Sequence, residues 1–96
     1  MDVSQLAVEH RPDLKRFQIE IDGQVAMVKY YLGNKEIIFT HTEVPEAFEG
    51  QGVAGKMAKA ALEYAKAEGL RVRPMCPYIA AYIQRHPEYQ SITEGY

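Results

Sequence analysis

The spacing of apolar residues changes from that of strands to that of a helix between residues 45 and 53, and this change restricts the folds that the chain can adopt. Residues 17–21 show the apolar and polar alternation of a half-buried strand, and residues 25–32 are rich in strand-forming side chains. Residues 35–42 contain the continuous apolar run Ile37-Ile38-Phe39, which is typical of a central strand with both sides covered. From residue 53 the apolar positions recur instead with helical spacing, at Val53, Met57, Ala60, Ala61, Tyr64 and Ala65. The chain therefore predicts neighbouring strands followed by a helix.

Turn sequences indicate how these strands are connected. Asp22-Gly23 and Gly33-Asn34 are typical of the tight turns that join antiparallel strands. Pro45 ends the third strand, because proline has no N–H to donate to a neighbouring strand. The first half of the chain therefore predicts an antiparallel sheet.

The second half predicts a different connection. Gly69 is expected to end the helix, and a short strand follows at residues 70–73. Pro77 suits the first turn of a second helix, which we expect over residues 78–86. A strand, a helix and a strand in succession predict a parallel pair with a right-handed crossover. The expected fold class is α/β, a mostly antiparallel sheet with one parallel strand pair and two helices.

The length of 96 residues suits a single domain over residues 1–96. Within it, residues 1–16 are expected to be a loose segment with an edge strand around residues 6–8. The one cysteine, Cys76, excludes an internal disulfide and favours a reducing cytoplasm, and the chain shows no signal peptide or membrane span. Scattered histidines predict no metal site, and the net charge of −2 argues against nucleic-acid or membrane partners. We expect a monomer or weak dimer.

A glycine-rich turn, Gly50-Gln51-Gly52-Val53-Ala54-Gly55, opens the first predicted helix. The first turn of a helix leaves backbone N–H groups unpaired, and the helix dipole adds partial positive charge there. Glycines let an anion approach this backbone closely, so the turn favours binding of a diphosphate. The same sequence can also be no more than a tight turn.

A nicotinamide-binding fold has a similar glycine pattern but fits this chain poorly. That fold runs its first strand directly into the first glycine, whereas the polar stretch of residues 40–49 intervenes here. It also needs an acidic residue about 20 positions further on, where this chain has Arg71 and Arg73. The diphosphate is therefore expected to belong to another cofactor.

Four blocks of sequence, taken in order, resemble one known family. They are Ile38-Phe39-Thr40-His41-Thr42-Glu43-Val44-Pro45, Phe48-Glu49-Gly50-Gln51-Gly52-Val53-Ala54, Pro74-Met75-Cys76-Pro77-Tyr78 and Arg85-His86-Pro87-Glu88-Tyr89. Together they are similar to the small, single-domain branch of the GNAT (Gcn5-related N-acetyltransferase-like) superfamily, over roughly residues 17–90. Glu49 departs from the family's turn, which has arginine or glutamine at this position.

This resemblance implies an acetyl-coenzyme A (acetyl-CoA) site in a splayed sheet, with pantetheine along the strand that ends at Val44. Together with the glycine turn, it makes eleven residues candidate cofactor contacts: Thr42, Val44, Gln51, Gly52, Val53, Ala54, Gly55, Lys56, Pro77, Tyr78 and Tyr82. The activity that it implies is transfer of an acetyl group to an amine or thiol acceptor. The sequence does not identify that acceptor.

Three residues are candidates for the chemistry itself. Cys76 precedes Pro77 at a helix start, where a thiolate is favoured, and it could be a nucleophile, a thioester contact or a core residue. His41 and Glu43 share one face of a strand and could each accept a proton from an amine. His41 is also the expected base for Cys76, because it lies near the end of the adjacent strand.

Two functions from different classes remain open at this point. The first is an acetyl-CoA-dependent acetyltransferase, which the glycine turn and the resemblance favour. The second is a module that binds CoA without catalysis, as a sensor or partner subunit. The second is favoured because the chain has little room for the N-terminal helices with which full-length members of the superfamily build their acceptor site.

Overall fold

The computed structural model describes residues 2–96 and contains one mixed sheet with two α-helices. The strands and helices are β1 (Glu9–Arg11), β2 (Arg16–Ile21), β3 (Gln24–Gly33), β4 (Glu36–Glu43), α1 (Val53–Ala67), β5 (Arg71–Pro74) and α2 (Pro77–Arg85). Short 3₁₀ helices span Val3–Gln5, Pro12–Leu14, Glu46–Phe48 and Pro87–Ile92. None of these helices is long and apolar enough to cross a membrane.

The five strands are adjacent in chain order, from β1 at one edge to β5 at the other. The first four pair antiparallel, and only β4 and β5 run parallel. Helix α1 connects this parallel pair, as the strand–helix–strand pattern predicts. The expected fold class is therefore confirmed.

Both helices pack on the same face of the sheet. The buried side of α1 includes Met57 and Leu62, that of α2 includes Ile79 and Ile83, and all four belong to a single core cluster. The sheet contributes alternate residues of β2, β3 and β4 to this core: Phe17, Ile19, Ile21, Ala26, Val28, Tyr30, Ile37 and Phe39. The apolar residues that are helically spaced in α1 and those that alternate in the strands thus pack together in one apolar layer.

The opposite side of the sheet, called here the open face, has no α-helix packed on it among residues 2–96, and only the 3₁₀ helix Pro12–Leu14 lies at its edge. Lys29 and Tyr31 of β3 project to this side, because they flank the buried Tyr30. The expectation that β4 is covered on both sides is therefore wrong. It lies between two strands, but only one of its faces is buried, and Ile38 is half-exposed on the other.

A β-bulge interrupts the pairing of β3 with β4. Lys29 pairs with His41 and Tyr30 pairs with Phe39, so Thr40 is an extra residue on β4. Bulges of this kind redirect the side chains that follow them. The bulge determines which residues of β4 point to the helices and which point to the open face.

Both ends of the chain are more structured than the sequence predicts. The edge strand forms at residues 9–11 rather than around residues 6–8, and the expected loose segment holds two 3₁₀ helices. Beyond α2, the 3₁₀ helix Pro87–Ile92 leads to Thr93, which bridges in parallel to Val72 of β5.

Candidate functional site

A cleft of about 350 Å³ lies where β4 ends and α1 begins. Its walls come from the end of β4, the connection, the first turn of α1 and the start of α2. The residues are Thr42, Val44, Phe48, Glu49, Gly50, Gly52, Val53, Ala54, Gly55 and Tyr78. Residues far apart in the sequence thus form one concave surface, called here the α1 cleft.

The glycine turn forms one end of the α1 cleft. Gly50 and Gly52 have φ values of 75° and 87°, in the left-handed region that side chains disfavour. The amide of Lys56 bonds to the carbonyl of Gly52 at 3.1 Å, which leaves the N–H groups of residues 53–55 without a partner inside the helix. These donors and the dipole of a 15-residue helix suit an anionic group.

The sheet splays apart beside this turn. The last paired residues of the parallel strands are Phe39 and Pro74, and the amide of Cys76 then donates to the Phe39 carbonyl at 2.9 Å. β4 continues to Glu43, whereas the chain after Cys76 turns into α2. The edge of β4 that faces this gap is therefore unpaired and can bond an extended ligand arm.

Cys76 lies at the bottom of the splay, at the N-cap of α2. The residue is 3% exposed and belongs to the core cluster. Its Sγ lies 3.2 Å from the hydroxyl oxygen of Thr42, which lines the α1 cleft. The thiol is thus separated from the cleft by one hydroxyl group rather than projecting into it.

His41 and Glu43 lie on the open face. Cross-strand pairing shows this: His41 pairs with the exposed Lys29, whereas Thr42 pairs with the buried Val28. The Nε2 of His41 is 3.8 Å from a carboxylate oxygen of Glu43, and both side chains are exposed.

The expected pairing of Cys76 with His41 as its base is therefore wrong. The thiol contacts Thr42 on the helical face of β4, and His41 points away from that face. The sequence could not show this, because the bulge at Thr40 changes the spacing along the strand.

The tyrosines of α2 separate into two environments. Tyr78 lines the α1 cleft, and burial raises the pKa of its hydroxyl. Its oxygen lies 3.5 Å from the position that a Cβ on Gly55 would occupy. Tyr82 is instead 7% exposed and stacks on His86, with ring centroids 3.8 Å apart. The structure thus brings Tyr78, but not Tyr82, to the cleft.

Three further candidates lie near the cleft without lining it. Gln51 donates through its side-chain amide to the Ala47 carbonyl at 3.3 Å. The ammonium of Lys56 donates to the carbonyls of Val3 and Ser4 at 2.8 and 3.1 Å. Pro77 is an exposed residue in the first turn of α2. Lys56 therefore holds the N-terminal 3₁₀ helix against α1.

Residues 16–92 match the family model described as GCN5-related N-acetyl-transferase. The chain belongs to this family. Its core elements, from β2 to the 3₁₀ helix after α2, all fall within the match.

One solved structure and two curated proteins illustrate what the chain is similar to. The solution structure of a GCN5-like protein from Staphylococcus aureus superposes with a TM-score of 0.75, at 28% identity, over 97% of this chain and 92% of that one. Protein NATD1 of Xenopus tropicalis is 34% identical over 88% of this chain and 80% of its own. Human protein NATD1 is 33% identical over 85% of this chain and 75% of its own.

The family's turn contains residues that the sequence analysis did not assign to the site. Phe48 and Glu49 both line the α1 cleft, and Gly50 does so beside them. Their position in the sequence, directly beside the predicted diphosphate-binding turn, could have identified them as residues of the cleft. Glu49 contributes a carboxylate to the wall of the cleft, so the backbone N–H groups of the turn, rather than its side chains, are the groups there that can donate hydrogen bonds to an anion.

Proposed function

We propose that this protein is an acetyl-CoA-dependent acetyltransferase whose acceptor is an amine or a thiol. The observation that carries the proposal is the α1 cleft, in which the open first turn of a helix continues into a splayed strand edge. This combination suits a ligand with a diphosphate at one end and an extended amide-containing arm at the other. Acetyl-CoA has this form, and the family uses it generally.

The cofactor is proposed to lie along the cleft in two parts. Its pyrophosphate accepts hydrogen bonds from the amides of residues 52–55, and its pantetheine arm bonds the unpaired edge of β4 between Thr42 and Val44. Tyr78 borders the same space and contacts the arm. The thioester then reaches the Thr42 hydroxyl and the Cys76 thiol at the bottom of the splay.

Direct transfer is the proposed chemistry for an amine acceptor. The nitrogen attacks the thioester carbonyl, the C–S bond breaks, and CoA leaves as a thiolate that takes up a proton from solvent. His41 and Glu43 are proposed to accept the proton that the amine loses, because both are exposed on the open face and share one edge of β4. Cys76 is proposed to contact the thioester, since its thiol has Thr42 rather than a base beside it.

Acetyl transfer through Cys76 is the second route that the site suggests. In that route the thiolate attacks the thioester, an acetyl-cysteine forms, and the proton from Cys76 ends on the CoA sulfur. The acceptor then attacks the acetyl carbonyl, the C–S bond to Cys76 breaks, and the proton that the acceptor loses restores the Cys76 thiol. This route is supported by the position of the Cys76 sulfur, which lies 3.2 Å from the hydroxyl oxygen of Thr42, a residue that lines the cleft.

A CoA-binding module without catalysis is the second candidate function. The open face favours it, because neither α1 nor α2 covers that face with the walls of an acceptor pocket. Such a module would bind acetyl-CoA in the α1 cleft and act as a sensor or partner subunit. It would not release CoA.

Release of CoA from acetyl-CoA, measured with a panel of amines and lysine-containing peptides, distinguishes these functions. We expect release above the buffer rate with at least one acceptor. Cys76→Ser should keep turnover within about tenfold if the cysteine only contacts the thioester, because one weak contact is worth about 1 kcal/mol. Mass spectrometry of the wild type should then find no acetyl group on Cys76.

Two results would change this account. An acetyl group on Cys76, together with loss of turnover in Cys76→Ser, would establish the nucleophile route. Tight acetyl-CoA binding with no CoA release for any acceptor would reject the enzyme in favour of the binding module.

We further propose that residues 1–96 act as one domain in the cytoplasm, as a monomer or weak dimer. The single core cluster that joins the sheet to both helices supports the one domain. The lone, buried Cys76 supports a reducing compartment.

A further inference from the structure

A second concavity, of about 180 Å³, lies at the edge of the open face. It is formed where the 3₁₀ helix Pro12–Leu14 meets β3 and the bulge of β4. Its lining residues are Leu14, Lys15, Lys29, Tyr30, Tyr31 and Thr40. We call it the lysine concavity, because two of its walls carry ammonium groups.

The two lysines give this concavity a positive charge on a protein whose net charge is −2. Within residues 2–96 neither ammonium is paired with a carboxylate, unlike Arg11 and Arg73, which contact Asp13 and Glu94. Unpaired cations around one concave space attract an anionic group.

The backbone fixes the position of Lys15. The residue has a φ of 55°, and its amide donates to the Pro12 carbonyl at 3.1 Å while its own carbonyl accepts from Tyr30 at 3.0 Å. Its ammonium lies 5.3 Å from the ring centre of Tyr31, which is a cation–π contact. The charge is therefore held beside the concavity.

The lysine concavity adjoins the proposed proton acceptors. Lys29 pairs across the strands with His41, and both project to the open face. Thr40 is the bulged residue directly before His41, and its hydroxyl adds a polar group to the wall. An acceptor bound here would reach His41 and Glu43 without leaving the open face.

We propose that the lysine concavity binds a carboxylate or phosphate group carried by the acetyl acceptor. This inference rests on the proposed function, since it assigns the class of acceptor: an amine that also bears an anionic group. Lys15 and Lys29 are the residues that select it, through charge-assisted hydrogen bonds.

Matched ligands test the inference by NMR. The compounds 6-aminohexanoate and hexylamine differ in one carboxylate, and inorganic phosphate supplies the anion alone. We expect 6-aminohexanoate and phosphate to shift the amide signals of Lys15, Lys29, Tyr31 and Thr40, and hexylamine to leave them unchanged. A response to phosphate but not to 6-aminohexanoate would assign the site to free phosphate and overturn an acceptor carboxylate.

Charge removal supplies the matched variants. Lys29→Gln is expected to raise the apparent Kd of 6-aminohexanoate about tenfold, because a charge-assisted bond is worth about 1.5 kcal/mol. Lys35→Gln, in the turn between β3 and β4, is the control and should leave it unchanged. No shift at these four amides, or equal losses in both variants, would overturn the inference.

CoA release measured with the same two amines distinguishes failure of the anion site from failure of the proposed acetyltransferase activity. Faster CoA release with 6-aminohexanoate than with hexylamine, abolished by Lys29→Gln, would support both proposals. Equal release with the two amines would reject the anion site and leave the acetyltransferase intact. Anion binding at the concavity without any CoA release would reject the acetyltransferase and the assignment of the anion to its acceptor.

Discussion

Adjacent residues of one strand serve two different surfaces in this protein. Thr42 faces the helices and contacts Cys76, whereas His41 faces the open side and contacts Glu43. The two side chains point to opposite faces because successive residues of a β-strand alternate between the two sides of the sheet. The proposed cofactor site and the proposed acceptor site are therefore separated by the thickness of a single strand.

A further titratable residue, His10, is placed in an aromatic cluster on the helical face. Its ring stacks on Phe17 with centroids 4.2 Å apart and meets the edge of Tyr64 at 4.5 Å. Its Nε2 lies 2.6 Å from the hydroxyl oxygen of Tyr30. Burial raises the pKa of Tyr30 and lowers the pKa of His10, so this hydrogen bond favours a neutral hydroxyl and a neutral imidazole.

This arrangement predicts that stability falls in mild acid. Burial lowers the pKa of His10 below its ordinary 6.5, so the unfolded chain binds the proton more readily than the folded protein. The contribution is fully present above pH 6.5 and is lost as the pH falls through the lower folded value. Urea unfolding from pH 8 to pH 5 should show this loss, and His10→Gln should reduce the slope. An unchanged slope in His10→Gln would contradict the assignment to this residue.

At the scale of elements, the C-terminal 3₁₀ helix closes the end of the core that α1 and α2 share. Tyr89 is 2% exposed, and its hydroxyl donates to a carboxylate oxygen of Glu63 on α1 at 2.6 Å. Burial is the main cause that raises the pKa of the Tyr89 hydroxyl, and the hydrogen bond to Glu63 is the second. The hydroxyl of Thr93 donates to the Tyr89 carbonyl at 2.7 Å and ties this helix to the bridge with β5.

Tyr89→Phe should therefore destabilise the protein by about 1 kcal/mol, since it removes a hydrogen bond to a charged group that is partly exposed to solvent. Chemical denaturation measures the loss. Tyr96→Phe is the matched control, because Tyr96 is 57% exposed and its change should stay within about 0.5 kcal/mol. Equal effects in both variants would mean that the Glu63 bond contributes nothing.

The elements that the sequence predicted have either a clear apolar pattern or a glycine or proline boundary, and they include the short elements β5 and α2. β2, β3, β4 and α1 all appear where alternation or helical spacing indicates them. β1 lies three residues later than expected, because a three-residue strand is too short to show alternation. The helix Pro87–Ile92 was missed, because Pro87 reads as the end of α2 and its packing depends on the distant Glu63.

The site was predictable to a similar degree. Local features, the glycine turn and the end of β4, lie together in the α1 cleft as the sequence suggested. The relation of Cys76 to His41 was not predictable, because it depends on the bulge at Thr40 and on a pairing register that no local pattern specifies. Tyr82 follows Tyr78 by one helical turn, yet it is stacked into the core.

At the scale of the whole molecule, one face of the sheet carries the stabilising core, and the other carries no α-helix within residues 2–96. The helical face holds the core cluster and the α1 cleft, and the open face holds the His41–Glu43 pair and the lysine concavity. A domain of 96 residues can bury only a small apolar core. With both helices on one face of the sheet, the buried side chains form one core rather than two smaller ones. Beyond Phe39 and Pro74, β4 and β5 are no longer paired, and the gap between them connects the two faces of the sheet.

The most direct test of this account is the thermal stabilisation of the protein by acetyl-CoA. At a hundredfold excess over Kd, linkage predicts about 2.7 kcal/mol, which raises the Tm of a domain this size by more than about 10 °C. Gly52→Val should abolish the rise, because a β-branched side chain disfavours the φ of 87° that opens the turn. Gly23→Val is the matched control: its φ is 77°, it too has open space around it, and it lies in the distant β2–β3 turn.

We expect acetyl-CoA to stabilise the wild type and Gly23→Val to a similar extent, whatever their starting Tm, and not to stabilise Gly52→Val. A wild type that millimolar acetyl-CoA fails to stabilise, or a Gly52→Val variant that responds as the wild type does, would contradict this account.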